Sequence, residues 1–208
     1  MSKPVPVRKS YFLSSKYRPS PTVENGRLTW RQPAFWRNLF IYFWFFSLLG
    51  HLLEVSWAWI TNSHFTPNIP TFTPIAPPYG LGVVALILIV APVYRRFKKM
   101  NILVVFLLAT IVTAAVEYLC AVVIVLVLGD NPFWDYSAQP FNLQGYVCLQ
   151  NALLFGLVST IFLRFIFPRL ENLLQKISRK ALNDTFLLLV TTYTADVLFM
   201  LAKGLINR

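Results

Sequence analysis

The chain has 208 residues, is 56% hydrophobic and only 13% charged, and carries a net charge of +11. A soluble domain of this size is about 25% charged, so charge this sparse and this unevenly spread excludes a soluble surface and points to an integral membrane protein. The basic excess is not a nucleic-acid footprint: eight of the nineteen Lys and Arg (Lys3, Arg8, Lys9, Lys16, Arg18, Arg27, Arg31, Arg37) precede the first apolar run, where each adds about 1 kcal/mol of attraction to an anionic leaflet, and no folded basic face accompanies them.

Residues 1–37 read as a basic, disordered cytoplasmic tail, and residues 38–208 as the transmembrane domain. The first apolar run, 39–60, is too long for the core of a cleaved signal and should remain as an anchor. Spanning takes about 20 apolar residues in a helix. Runs 102–128, 147–167 and 185–202 also meet that length, while 80–94 is short. Lys and Arg fill the tail, "RRFKKM" and "RLENLLQKISRK", and are missing from 62–80 and 129–145. By the positive-inside rule this alternation needs every run to cross. The expected fold is an all-α polytopic membrane helix bundle of about five transmembrane helices, N-terminus inside and C-terminus outside. Lys203 and Arg208 oppose the rule at the last crossing.

Ahead of run 80–94 stand Pro67, Pro70, Pro74, Pro77 and Pro78, which forbid a regular helix there. Two readings are open: a broken crossing that lines a site, or a loop draped on the bundle. In "RLENLLQKISRK", Leu170, Leu173, Leu174 and Ile177 share one helical face, as in a short helix lying on the membrane surface or a dock for a cytoplasmic partner.

An ionisable group within a spanning helix marks a candidate functional site. There are three: Glu54, Glu117 and Asp196. Ser47, Gly50, His51 and Glu54 form one stripe, and Thr110, Thr113, Ala114 and Glu117 another. Both should face the interior, with Glu54 in the outer half and Glu117, about eleven residues or ~17 Å from the end of its run, near the middle. They could hold a proton, an ion or a cationic substrate group, or act as protonated glue between helices. Asp196 has Thr192 one turn earlier as a candidate partner.

The segment "NPFWDYSAQPFNLQG" offers Trp134, Asp135, Tyr136, Ser137 and Asn142 just beyond the outer boundary. It reads either as a ligand clamp or as a turn in which Asp135 caps the backbone and Gly145 frees the next helix. Cys120 and Cys148 have no metal or redox spacing. No Walker, HExxH or GxSxG pattern occurs, so nothing supports an enzyme, a cofactor or a metal.

The segments "WDYS-x-x-PFN-x-x-G", "LLFGLVS" and "FPRLENLL", with "FFSLLGHLLEV", "APPYGLG" and "VEYL" upstream, resemble the CmpB-type family of bacterial membrane proteins, labelled ABC-transporter type IV or ABC transporter permease. The resemblance runs from about Phe40 to Leu174. It marks Gly50, Glu54, Tyr79, Gly80, Gly82, Glu117, Tyr118, Trp134, Asp135, Tyr136, Ser137, Phe141, Asn142, Gly145 and Gly156, with Tyr79, Gly80 and Gly82 in a turn. Two of the family's arginine positions differ here: "NIPTFTPIA" stands ahead of that turn, and Tyr146 follows Gly145. The resemblance implies a permease or transport-accessory subunit of the bacterial cytoplasmic membrane; on that reading Glu54, Glu117 and Tyr118, together with His51 and Asp196 from the apolar runs, lie along a substrate or ion path. With no ATP-binding motif such a subunit needs a separate ATPase, and five crossings are few for a pore, which suggests a homo-oligomer or a larger complex. A lipid-modifying enzyme or an envelope or stress sensor, its outer loop on a lipid head group, is the alternative.

Overall fold

A computed structural model describes residues 22–24, 27–61, 73–97 and 100–206. Lys3, Arg8, Lys9, Lys16, Arg18, His64, Pro67, Pro70 and Arg208 lie outside them. The described chain is all-α. Its helices are α1 (Pro33–Ile60), α2 (Pro77–Arg96), α3 (Ile102–Leu128), α4 (Leu149–Leu174) and α5 (Arg179–Ile206). Two small antiparallel hairpins, β1 (Val23–Glu24) with β2 (Arg27–Leu28) and β3 (Asn142–Leu143) with β4 (Val147–Cys148), precede α1 and α4. Among the described residues, α1 to α4 are long and apolar enough to cross a membrane.

Local chemistry sets the helix limits. Pro33 stands in the first turn of α1, where its missing N–H costs nothing. Asn101 caps α3 by accepting from the Leu103 N–H at 2.9 Å. Gly129, at φ 92°, ends α3 in the left-handed region that glycine enters freely. Pro77 and Pro78 open α2, so they lengthen the short run 80–94 instead of breaking it. Each of α2 and α4 contains one wide π turn, 86–90 and 162–166, shortly before Pro92 and Pro168. A proline clashes with the carbonyl four residues back, and a widened turn relieves that clash.

Apart from Lys203 near the end of α5, the described basic residues gather at one end of the bundle. Arg37 of α1 donates to Asn183 Oδ1 of α5 at 2.8 Å, and Arg164 of α4 to the Tyr94 hydroxyl of α2 at 2.8 Å. Phe40 packs on Phe186 and Phe43 on Tyr193, so α5 runs parallel to α1 from this end. The apolar core fills the same half: Phe35, Leu39 and Tyr42 of α1, the π turns of α2 and α4, and Val105 and Ala109 of α3.

The hairpin β1–β2 is clasped to this end. Glu171 Oε1 accepts from the Thr22 and Val23 N–H groups at 2.8 and 3.2 Å. Its Oε2 pairs with Arg95, which also donates to the Val23 carbonyl at 2.6 Å and lies over the Phe167 ring. Residues 22–24 and 27–32 are therefore ordered. Residues 167–174 continue α4 and bury Glu171, so this segment is not a separate surface helix. Its polar face is what holds the hairpin.

Breaking one partner of a buried ion pair strands the other. Arg95→Leu should destabilise the protein by about 3 kcal/mol or more, read as a lower thermal midpoint in detergent. Arg95→Leu with Glu171→Leu should cost less than the sum of the single changes.

Candidate functional site

The exposed indoles give α1 a ruler. Trp36 and Trp57 are both more than half exposed and lie twenty-one residues apart, ~32 Å at 1.5 Å per residue. That matches a hydrocarbon core of about 30 Å with tryptophan at both interfaces. Gly50 is then about 10 Å below the Trp57 level. The chain enters α2 at that depth: the Ala76 N–H donates to the Ser47 carbonyl at 2.8 Å. A Cβ on Gly50 would overlap the Tyr79 ring, and one on Gly80 would overlap the Phe43 carbonyl and the Ser47 hydroxyl. Residues 73–76 are thus non-helical backbone lodged inside the bundle.

A second non-helical segment does the same. After Gly129 the chain folds back along α3, so that Tyr136 donates to Glu117 Oε1 at 3.1 Å and Tyr118 to Gln144 Oε1 at 2.8 Å. These contacts fall about eleven residues before the end of α3, ~16 Å along it. Above them Val123, Leu126 and Val127 are apolar and exposed. The WDYS segment therefore reaches beside the middle of α3 and does not stand beyond its end.

The segment carries its own hydrogen bonds. Asp135 Oδ1 accepts from the Ser137 hydroxyl and from its N–H, the latter at 2.8 Å. Asn142 donates to the Gln139 carbonyl at 2.8 Å and accepts from the Gly145 N–H at 3.0 Å. The Tyr136 N–H donates to the Gly145 carbonyl at 2.8 Å, and Trp134 Nε1 to the Tyr146 carbonyl at 2.9 Å. Gly145 has φ 72°, and a Cβ there would press on Ser137 and Asp135. Asp135 is exposed and works as the turn's acceptor, while Tyr136 is the side chain that points to the interior. Ser137's two donations hold the Asp135 carboxyl below its ordinary range, the hydroxyl's being the larger effect. Burial, then the neighbouring Glu117, holds the Tyr136 phenol above its ordinary range, so it stays a neutral donor.

Glu117 sits on a fully buried stripe of α3, with Val105, Ala109, Thr113 and Ala121 at steps of four. Packing against α4 is close, since a Cβ on Gly156 would overlap Thr110. Oε1 of Glu117 takes the Tyr136 phenol, while Oε2 is buried with no hydrogen-bond partner. On α1, Glu54 is half-buried and faces the Tyr79 hydroxyl. Tyr79 lies within electrostatic range of Tyr136 and Glu117, and Asn151 of α4 faces the Tyr136 phenol. Glu54, Tyr79, Glu117, Tyr136 and Asn151 thus form one cluster drawn from four helices and the folded-back segment. Among the described residues, no group of three or more His, Cys, Asp or Glu could hold a metal ion.

The remaining candidates fall elsewhere. Asp196 is buried, but its Oδ2 accepts from the Thr73 N–H at 3.1 Å and from the Thr73 hydroxyl. Thr192, the partner expected for it, donates to the Leu188 and Leu189 carbonyls of its own helix. Asp196 therefore ties the segment leading into α2 to α5. Tyr118, one residue after Glu117, turns away to Gln144 and stacks near Tyr146. His51 is half-buried on the Glu54 face. Tyr79, Gly80 and Gly82 are helical rather than in a turn, and a Cβ on Gly82 meets nothing within 4 Å. Asn151 and Thr73 were missed by sequence reasoning. Asn151 could have been found as an amide in the first turn of an apolar run, whereas nothing marked Thr73.

A family model described as "Putative ABC-transporter type IV" matches residues 41–201, well over half of the chain. The chain belongs to that family. No curated protein and no solved structure matches it. The family match spans all five helices and every member of the cluster, including α5, which the motifs alone did not reach.

Two outcomes follow for the site. Gly156→Val should separate α3 from α4, cost about 1–3 kcal/mol and reduce the folded, monodisperse fraction in mild detergent. Gly82→Ala, facing open space, should leave it unchanged. Because the Asp135 carboxyl is depressed in the folded state, its contribution is complete above the unfolded value near 3.9 and is lost as pH falls through the lower folded value. Amide exchange in 134–146 should therefore stay slow down to about pH 4 and quicken below it. Asp135→Asn should remove that acid-side step.

Proposed function

We propose that the protein is the membrane-embedded, permease-type subunit of an ABC-type system in a bacterial cytoplasmic membrane. The acid–phenol cluster is the floor of a polar path that opens at the end opposite the basic one. The observation that carries this reading is the convergence of Glu54 and Glu117, from α1 and α3, on two tyrosines, Tyr79 in the first turn of α2 and Tyr136 in the folded-back segment. Buried acids of this kind line substrate and ion pathways, and short or interrupted crossings point to binding sites near mid-membrane. The chain has no GxxxxGK[ST] motif, so a separate ATPase supplies the energy. A bundle of five helices is small for a pore, which favours a homo-oligomer.

The test is isolation of the tagged, full-length protein in mild detergent. An ATPase should co-isolate, and Glu117→Gln should lower ATP hydrolysis by the isolated complex at least tenfold at an unchanged protein level. Absence of any ATPase overturns the reading. A changed lipid headgroup composition on deletion of the gene would then favour a lipid-modifying role.

A further inference from the structure

We propose that the cluster binds one monovalent organic ammonium group, with Glu117 Oε2 as its principal acceptor. The inference takes the polar path of the proposed function as its site and names the class of ligand that the path admits.

The starting point is one atom. Glu117 is 9% exposed, and its Oε2 is buried with no hydrogen-bond partner. An acceptor left so in a low-dielectric interior is costly. Its other oxygen already takes a phenol, and Glu54 already faces one, so the cluster's own hydroxyl donors are in use. Among the described residues, no Lys or Arg lies on the stretches that carry the cluster. From residue 38 to 94 and from 101 to 163 the chain contains neither Lys nor Arg. The donor that suits Oε2 comes from a ligand with an N–H group and a positive charge.

The surroundings narrow the class. A calcium ion takes six to eight oxygens and magnesium a near-ideal octahedron, whereas two carboxylates on separate helices offer no such shell. Aromatic residues stand nearby: Tyr79, which packs edge-to-face with Phe155 at 6.2 Å between ring centroids, and Tyr136, whose hydroxyl meets Glu117. Carboxylates set among aromatic side chains suit an alkylammonium, which can join a hydrogen bond to a cation–π contact. Asn151, facing the Tyr136 phenol from α4, adds an amide that can accept a second N–H. The segments 73–76 and 131–148 flank the cluster from the end opposite the basic one, so a ligand reaches it from that side.

The experiment uses the purified, full-length protein in lipid nanodiscs, titrated with n-butylammonium chloride at constant ionic strength. The thermal midpoint should rise saturably with n-butylammonium and not with NaCl or CaCl2. Glu117→Gln should raise the half-saturating concentration at least tenfold, and Glu24→Gln, an exposed acid on the hairpin at the basic end, should leave it unchanged. In the unsubstituted protein, n-butylammonium should reduce modification of Glu117 by a hydrophobic carbodiimide at least tenfold, which needs no variant to fold. Equal modification with and without the amine, no saturable shift, or a shift given by NaCl or CaCl2 instead overturns the proposal. Ammonium binding without an ATPase partner would leave the ligand class standing while the transport reading falls. Glu117-dependent ATP hydrolysis with no response to ammonium would do the reverse.

Discussion

Backbone polar groups cannot stay unpaired in lipid, and this constraint shapes the molecule wherever its chain is not helical. Two segments reach into the bundle without helical hydrogen bonds, and each brings its partners with it. The segment before α2 hands the Thr73 N–H to Asp196 and the Ala76 N–H to the Ser47 carbonyl. The WDYS segment closes on itself through Asp135, Asn142 and the Gly145 backbone. Three side chains that look like chemistry in the sequence thus serve the backbone. Having satisfied it, the WDYS segment points Tyr136 inward, and the segment before α2 leads into the first turn that presents Tyr79.

The division of the bundle follows from the same economy. In the basic half, where the helices run side by side, burial is apolar and the π turns of α2 and α4 supply much of the core. The proline behind each π turn leaves a widened coil, which turns large residues such as Leu86, Ile87, Phe162 and Leu163 inward. In the other half α2 and α4 stop short of the ends of α1 and α3, and the two non-helical segments take their place. Polar side chains gather there because the backbone that fills the space is itself polar. The clasp of Arg95, Glu171 and the β1–β2 hairpin closes the basic end, so the two ends differ in kind: one sealed by an ion pair, the other holding acids whose described partners are phenols.

Much of this was legible in the sequence, for reasons that are physical. Long apolar runs give the helices, because only a helix satisfies its own backbone in lipid. Alternating Lys and Arg give the order of the ends. Acids within those runs must face inward, so Glu54 and Glu117 stood out at once. Their partners did not, because Tyr79 and Tyr136 arrive from segments whose depth no local pattern records. The length of α2 was obscured because a proline reads as a breaker unless its place in the first turn is known. Glu171 was hidden in an amphipathic face, where an acid normally meets water; its partners, Thr22 and Val23, lie about 150 residues away, and a pair of two-residue strands leaves no periodicity to find. Asp196 illustrates the opposite error: its burial was foreseeable, but the threonine one turn earlier, Thr192, had carbonyls of its own helix to bond.

The choice of phenol over guanidinium is the feature that gives the site its character. An arginine beside Glu117 would neutralise it and fill both of its oxygens in a bidentate pair. In this chain the position after Gly145, where the family resemblance leads one to expect an arginine, is Tyr146, and its ring packs with Tyr118 instead. A tyrosine donates one hydrogen bond and brings no charge, so each carboxylate is oriented without being cancelled. An acid held in place and left uncancelled, in a half of the molecule with no Lys or Arg between residues 38 and 94 or between 101 and 163, is built to have its charge met from outside the chain.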